Sequence, residues 1–184
     1  MITKEQITLL ADEALKEISK ILSGETEKEV FIYFTDRHIL FEFDETLVLS
    51  RLIDGEYYKI DQMITSDYDT KIVVNKKEFL SCIDRATLLI KETEKKPIIL
   101  NSIGEGFEMK VTTSLGSMNE DLEVIKEGKD ITIGFNPKFL IEALRAIDDE
   151  EAFLFMTNPK APCFIRDTED SYIYLILPVN ISAN

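Results

Sequence analysis

The feature that most constrains this chain is an internal repeat: three successive units, in each of which an amphipathic helix is followed by three short strands. In the first unit Ala11, Leu15, Ile18 and Leu22 share one helical face, and Gly24 stands where a left-handed residue ends a helix. Strands are expected at 30–34, 39–43 and 46–52, which leaves 35–38, with His38, as a solvated turn. The second unit opens with a strand at 71–74. Asn75 then caps a helix, with Glu78 three residues on, and Phe79, Ile83, Ala86 and Ile90 form its apolar face. Its strands are expected at 98–101, 107–112 and 116–124, with Gly104 and Gly106 marking a hairpin turn. The third unit has a strand at 131–135, Asn136 as cap, Pro137 at the first helical position, and Leu140, Ala143, Leu144 and Ile147 facing inward. Strands at 152–156, 163–166 and 172–178 complete it. The helical stripes recur about every 60 to 65 residues, too long a period for a solenoid and suited to a βαβββ half-domain repeated in tandem. The expectation is an α+β fold of antiparallel sheets with one helix covering each segment.

Composition narrows the chemistry. The chain has 184 residues, a formal charge of −14, one histidine and two cysteines, and 45% hydrophobic residues, enough for a real core. A nucleophile–histidine arrangement would have to be built on His38, in a turn, and Gly104-Glu105-Gly106 precedes a strand and so offers no helix terminus to a phosphate. The acidic run 148–151 has nothing apolar beside it to raise a carboxyl pKa for acid catalysis. Cys82 and Cys163 lie apart in apolar surroundings and read as buried thiols, with neither a disulfide nor a metal site. These features point away from an enzyme and away from any metal or cofactor. No apolar run approaches the roughly 18 residues of a membrane span, and the acid-bearing N-terminus lacks a cleavable apolar core, so a cytoplasmic protein with no membrane partner is expected.

Against this acidic background each helix carries a basic stripe away from its apolar face: Lys16 and Lys20, Lys77 and Arg85, Lys138 and Arg145. A chain repelled by nucleic acid as a whole can still touch phosphates weakly through such local stripes, with a strong dependence on salt.

Three stretches carry a resemblance: Ser50-Arg51-Leu52-Ile53-Asp54-Gly55-Glu56-Tyr57-Tyr58, Ile131-Thr132-Ile133-Gly134-Phe135-Asn136-Pro137-Lys138-Phe139-Leu140, and Tyr174-Leu175-Ile176-Leu177-Pro178-Val179. In this order they resemble the bacterial DNA polymerase III beta subunit, the beta sliding clamp, and the likeness runs from about Leu9 to Ile181. It implies a DNA clamp (processivity-fold) architecture with antiparallel sheets outside and helices on one face. Members of that family hold six half-domain modules in three domains. The resemblance implies that residues 1–66 are the second half of the middle domain and residues 67–184 the complete third domain.

What the resemblance implies for function is a non-catalytic processivity factor. The family forms a head-to-tail homodimeric ring that encircles duplex DNA without sequence preference. It tethers the DNA polymerase III alpha subunit, the clamp loader and other proteins bearing a clamp-binding motif. On the matching helices Lys20, Lys77, Arg85 and Arg145 would face DNA, with Lys96 in an adjacent loop. The peptide-binding groove would fall to Tyr58, Gln62, Met63, Asn136, Phe139, Pro162, Leu175, Leu177, Pro178, Val179 and Asn180. Tyr58 stands where the family usually has proline, and Gln62 and Asn180 where it often has basic residues. Ring closure would use the strand 116–123, with Met118 and Glu120, together with Leu88 and Leu89. Without its usual neighbour that strand edge is expected to seek another pairing. The rival reading is a clamp-like protein-binding adaptor that keeps the groove and does not load on DNA.

Overall fold

The fold was obtained as a computed structural model, which describes residues 12–22, 29–53, 63–91, 93–94, 96–169 and 171–181. The chain divides into two compact units, Met1–Met63 and Ile64–Asn184. Ala11, Gly24, Tyr58 and Gln62 lie outside the described residues, as does the side chain of Leu15.

In the first unit, helix α1 (Asp12–Leu22) accompanies a three-stranded antiparallel sheet of β1 (Phe31–Phe34), β2 (His38–Phe43) and β3 (Thr46–Arg51). Strand β2 follows the period of two, so Ile39, Phe41 and Phe43 are buried. Ile18 of the helix packs with them, with Leu52 and, partly buried, Ala14, Leu22, Phe34 and Val48. The Thr35 hydroxyl accepts from the backbone N–H of His38 at 3.0 Å and so shapes the first turn. His38 itself is a correction to the turn reading: it opens β2, exposed, opposite Arg51.

The second unit contains two modules that interlock. Strand β4 (Thr70–Asn75) leads into helix α2 (Lys76–Thr87), then β5 (Ile98–Ile103), β6 (Gly106–Thr113), β7 (Gly116–Asp121) and β8 (Val124–Gly128). Strand β9 (Ile131–Phe135) leads into helix α3 (Pro137–Ala146), then β10 (Glu151–Met156), β11 (Cys163–Arg166) and β12 (Ile173–Ile176). Each leading strand joins the sheet of the other module. The sheets run β12-β11-β10-β4-β8 and β7-β6-β5-β9, and every pairing is antiparallel. The modules therefore do not stand in simple tandem: β4 is completed by β10, and β5 by β9.

Two strands differ from the sequence reading, for one physical reason. The run 116–124 breaks at Leu122–Glu123, so β7 stays on β6 while β8 crosses to β4 in the other sheet. Met118, Glu120, Leu122 and Val124 are half-buried and their neighbours exposed, so the alternation passes unbroken through the crossing and gives no sign of it. Likewise β12 ends at Ile176, and after Pro178 the chain moves to the other sheet, where Val179 bridges to Gly134. At the far end of β8, opposite Thr70, Gly128 has a φ of 97°, and a Cβ there would lie 2.0 Å from the Asp69 carbonyl oxygen.

The helices close the core as the stripes predict. Phe79, Cys82, Ile83 and Ala86 of α2, and Leu140, Ala143, Leu144 and Ile147 at α3, meet the inner residues of both sheets. The Asn75 side chain accepts from the Glu78 N–H at 3.1 Å, and Asn136 from Lys138 at 3.1 Å, while Pro137 fills the first turn. Cys82 and Cys163 are buried and free.

Candidate functional site

One apolar surface cleft lies where α3 passes β12. The Asn136 cap and Pro137 fix the start of α3, which sets Phe139, 50% exposed, at the rim. Phe139, Glu142 and Ala143 form one side of a cleft of about 450 Å³, and Tyr174, Leu175, Ile176 and Leu177 form the other. Leu177 is 60% exposed. The stretch beyond it is tied down by the Val179 N–H, which donates to the Gly134 carbonyl at 2.8 Å. Gly134 permits this approach, because a Cβ there would sit 3.3 Å from the Val179 carbonyl oxygen and 3.3 Å from Ile181 Cγ2. An open apolar trough with one carboxylate at its side suits an extended peptide with bulky apolar residues.

Of the residues the sequence assigned to a groove, Phe139, Leu175 and Leu177 line this cleft together. Pro178 and Val179 are half-buried just beyond it, and Asn180 is exposed. Pro162 is half-buried immediately before Cys163, which pairs with Ile176. Asn136 faces a different cleft, described next. Met63 is exposed at the end of the first unit, while Tyr58 and Gln62 are not among the described residues. Sequence reasoning missed Glu142 and Tyr174; the i,i+3 spacing from Phe139 was the available signal for Glu142.

The basic residues are distributed unevenly. Lys96 and Arg145 join Lys91 and Lys138 around a second cleft of about 560 Å³, floored by Ile90, Pro137 and Ile141. Arg145 Nη2 lies 3.4 Å from Asp84 Oδ1, so part of its charge is answered across the two helices. Lys77 is exposed on α2, and Lys20 is exposed beside Glu17 at 2.7 Å. Arg85, expected among the DNA-facing cations, is ion-paired within the chain. Its guanidinium forks onto Glu120, with Nε 3.1 Å from Oε2 and Nη2 on Oε1, and Nη1 donates to Ser81 Oγ at 2.7 Å. A side chain from the pore set and one from the ring-closure set are thus paired with each other.

Comparison with known proteins gives the family of the chain. The family profile for the DNA polymerase III beta subunit, C-terminal domain, matches residues 61–180. The chain belongs to the DNA polymerase III beta subunit family. It is 34% identical over 176 residues to the beta sliding clamp of Bacillus subtilis (strain 168), covering 93% of this chain and 46% of that protein. To the beta sliding clamp of Staphylococcus aureus (strain Mu50 / ATCC 700699) it is 29% identical over 181 residues, 97% of this chain and 48% of the other. Among solved structures, a putative DNA polymerase III beta subunit from Eubacterium rectale ATCC 33656 superposes with a TM-score of 0.81 at 60% identity, covering 94% of this chain and 47% of that one. The chain therefore spans about half the length of the relatives it matches, and its architecture is the α+β sliding-clamp fold.

Within the clamp fold the strand expected at the ring interface, β7, is an edge of its sheet. Met118 packs half-buried against the core, and Glu120 is held by Arg85. Leu88, just after α2, is 81% exposed, whereas Leu89 is half-buried against the core. Among the described residues no group of three or more His, Cys, Asp or Glu is placed to hold a metal ion. Among them, too, no helix is long and apolar enough to cross a membrane.

Proposed function

We propose that this chain serves as part of a DNA polymerase processivity clamp, with residues 1–66 as the second half of a clamp's middle domain and residues 67–184 as its third domain. In that role it has no catalytic centre and works in the cytoplasm as part of a head-to-tail dimeric ring around duplex DNA. Processivity then comes from enclosure. The wall needs only sparse cations that meet phosphates without gripping them, and Lys20, Lys77, Lys96 and Arg145 supply them, supported by Lys91 and Lys138. Arg85 contributes less, because Glu120 holds it.

The observation that carries the reading is the apolar cleft between Phe139 and Leu175–Leu177 in a chain of this family. It would hold the clamp-binding motif of the polymerase alpha subunit, the clamp loader and similar partners. Fluorescence polarisation with a labelled polymerase-tail pentapeptide tests it. Phe139→Ala and Leu177→Ala each remove an exposed anchor and should weaken binding about tenfold or more. Equal binding by both variants, or none by the unaltered chain, counts against the proposal.

The adaptor reading is favoured by one observation: Arg85 and Arg145 are both answered by carboxylates in a chain of charge −14. Peptide binding with no salt-sensitive retention on DNA, in a chain joined to the preceding modules of a relative, would select it.

A further inference from the structure

The apolar cleft and the basic cleft lie on two sides of one helix. Along α3, Phe139, Glu142 and Ala143 face the first, whereas Pro137, Lys138, Ile141 and Arg145 face the second, and Glu142 stands between them and lines both. Lys138 and Phe139 are consecutive, so the two clefts meet at the first turn of the helix. The basic cleft is unlike the rest of a chain of charge −14. Lys91, Lys96, Lys138 and Arg145 surround it, and Glu142 is the one carboxylate among its described lining residues. Neighbouring acids answer these cations loosely. Lys138 Nζ is 3.9 Å from Glu142, Arg145 Nη2 is 3.4 Å from Asp84, and Glu94, near Lys91 and Lys96, accepts from the Ser114 hydroxyl. Exposed pairs of this kind contribute little, which leaves the cations open to a better partner. The first turn of α3 also has no acidic residue of its own, although the positive end of a helix favours one.

We propose that the basic cleft takes an acidic flank of the same peptide whose apolar residues fill the neighbouring cleft, an inference that rests on the peptide reading above. A helix is about 10 Å across, and about three extended residues cover that distance. Carboxylates about three residues beyond the apolar anchor therefore come to Lys138 at the first turn, with Arg145, Lys91 and Lys96 around them. The arrangement sorts partners by sign. A motif with an acidic flank engages both clefts, and one with a neutral flank engages the apolar cleft alone. The same cations are those offered to duplex phosphates, so an acidic flank and DNA compete, and such partners bind best where no duplex lies against this wall.

Fluorescence polarisation on the full 184-residue chain tests this, with the labelled polymerase-tail pentapeptide extended at either end by three glutamates or by three glutamines. At one end the glutamate extension should bind about tenfold more tightly than the glutamine extension at low salt, each exposed pair contributing about twofold, and the gain should vanish at high salt. Lys91→Gln with Lys138→Gln, at exposed positions, should bring the two extensions to the same affinity. Equal affinity for the two extensions at both ends, the result if the cleft serves duplex phosphates alone, overturns the proposal and leaves the peptide reading standing. A glutamate gain that the lysine variants keep overturns it as well. Failure of every peptide to bind removes the peptide reading and the proposal with it.

Discussion

Replacing Lys126 by methionine tests how the crossing between the two sheets of the second unit is held. Lys126 belongs to β8 in the five-stranded sheet, but its ammonium reaches the β5–β6 turn of the other sheet. There it donates to the carbonyl oxygens of Gly104 at 3.0 Å and Ser102 at 3.4 Å, and to the carboxylate of Asp130, which also accepts from the Gly104 N–H at 3.0 Å. The lysine side chain is 8% exposed, and Asp130 is 57% exposed. Methionine preserves the packed stem and removes every donor. The Gly104 bond is well formed and charge-assisted, the Ser102 bond is long, and Asp130 can rehydrate, so the net loss should be about 2 kcal/mol. At a slope of roughly 2 kcal/mol per molar urea, that moves the unfolding midpoint by about 1 M. Tyrosine signals must report it, as the chain has no tryptophan. Acid supplies a second arm. The Lys126 ammonium, followed by the Gly104 N–H, holds the Asp130 carboxyl below its ordinary value of 3.8. A carboxyl depressed in the fold stabilises above its unfolded value, and that stabilisation is lost as pH falls through the folded one. The gap between wild type and Lys126→Met should therefore be full at neutral pH and narrow below about 3.8, while the Asp130 carbon resonance titrates higher in the variant. A loss under about 0.5 kcal/mol, or a gap indifferent to acid, would refute the reasoning.

Two other outcomes follow from the same unit. Gly128→Ala should cost about 3 kcal/mol or more, because its Cβ would meet the Asp69 carbonyl oxygen at 2.0 Å with φ at 97°; urea unfolding that matches wild type would show that the backbone is not confined at this approach. Burial pushes the thiols of Cys82 and Cys163 up from 9.0 to about 12 each, with Glu120 adding to the shift at Cys82. Both thiols should resist a disulfide reagent at pH 8 until the chain unfolds, and since the fold favours their neutral form, stability should decline as pH rises from about 9 toward 12. A fast-reacting thiol in the folded chain would count against this.

The cleft and the basic surfaces were legible in the sequence to different degrees. Phe139, Leu175 and Leu177 belong to stretches whose likeness to a known family is local in the chain, and they line one cleft. Glu142 and Tyr174 escaped notice because nothing in a helix surface or an apolar strand says which neighbour it will meet. Helical spacing sets Arg85 on an outward basic stripe, and the resemblance turns that stripe toward DNA. Its partner, Glu120, stands 35 residues away, on a strand that only the folded sheet brings alongside α2.

What the sequence determined by itself was the set of elements. Periods of 3.6 and 2, the Asn75 and Asn136 caps, and Pro137 state where helices and strands form, because these are contacts between residues near in the chain. Only the tertiary structure decided which strands share a sheet. An exposed–buried alternation specifies which side of a strand is apolar and says nothing about which sheet supplies its neighbours. So β4 and β9 exchange sheets, and β8 leaves β7 at Leu122–Glu123 without a change of pattern.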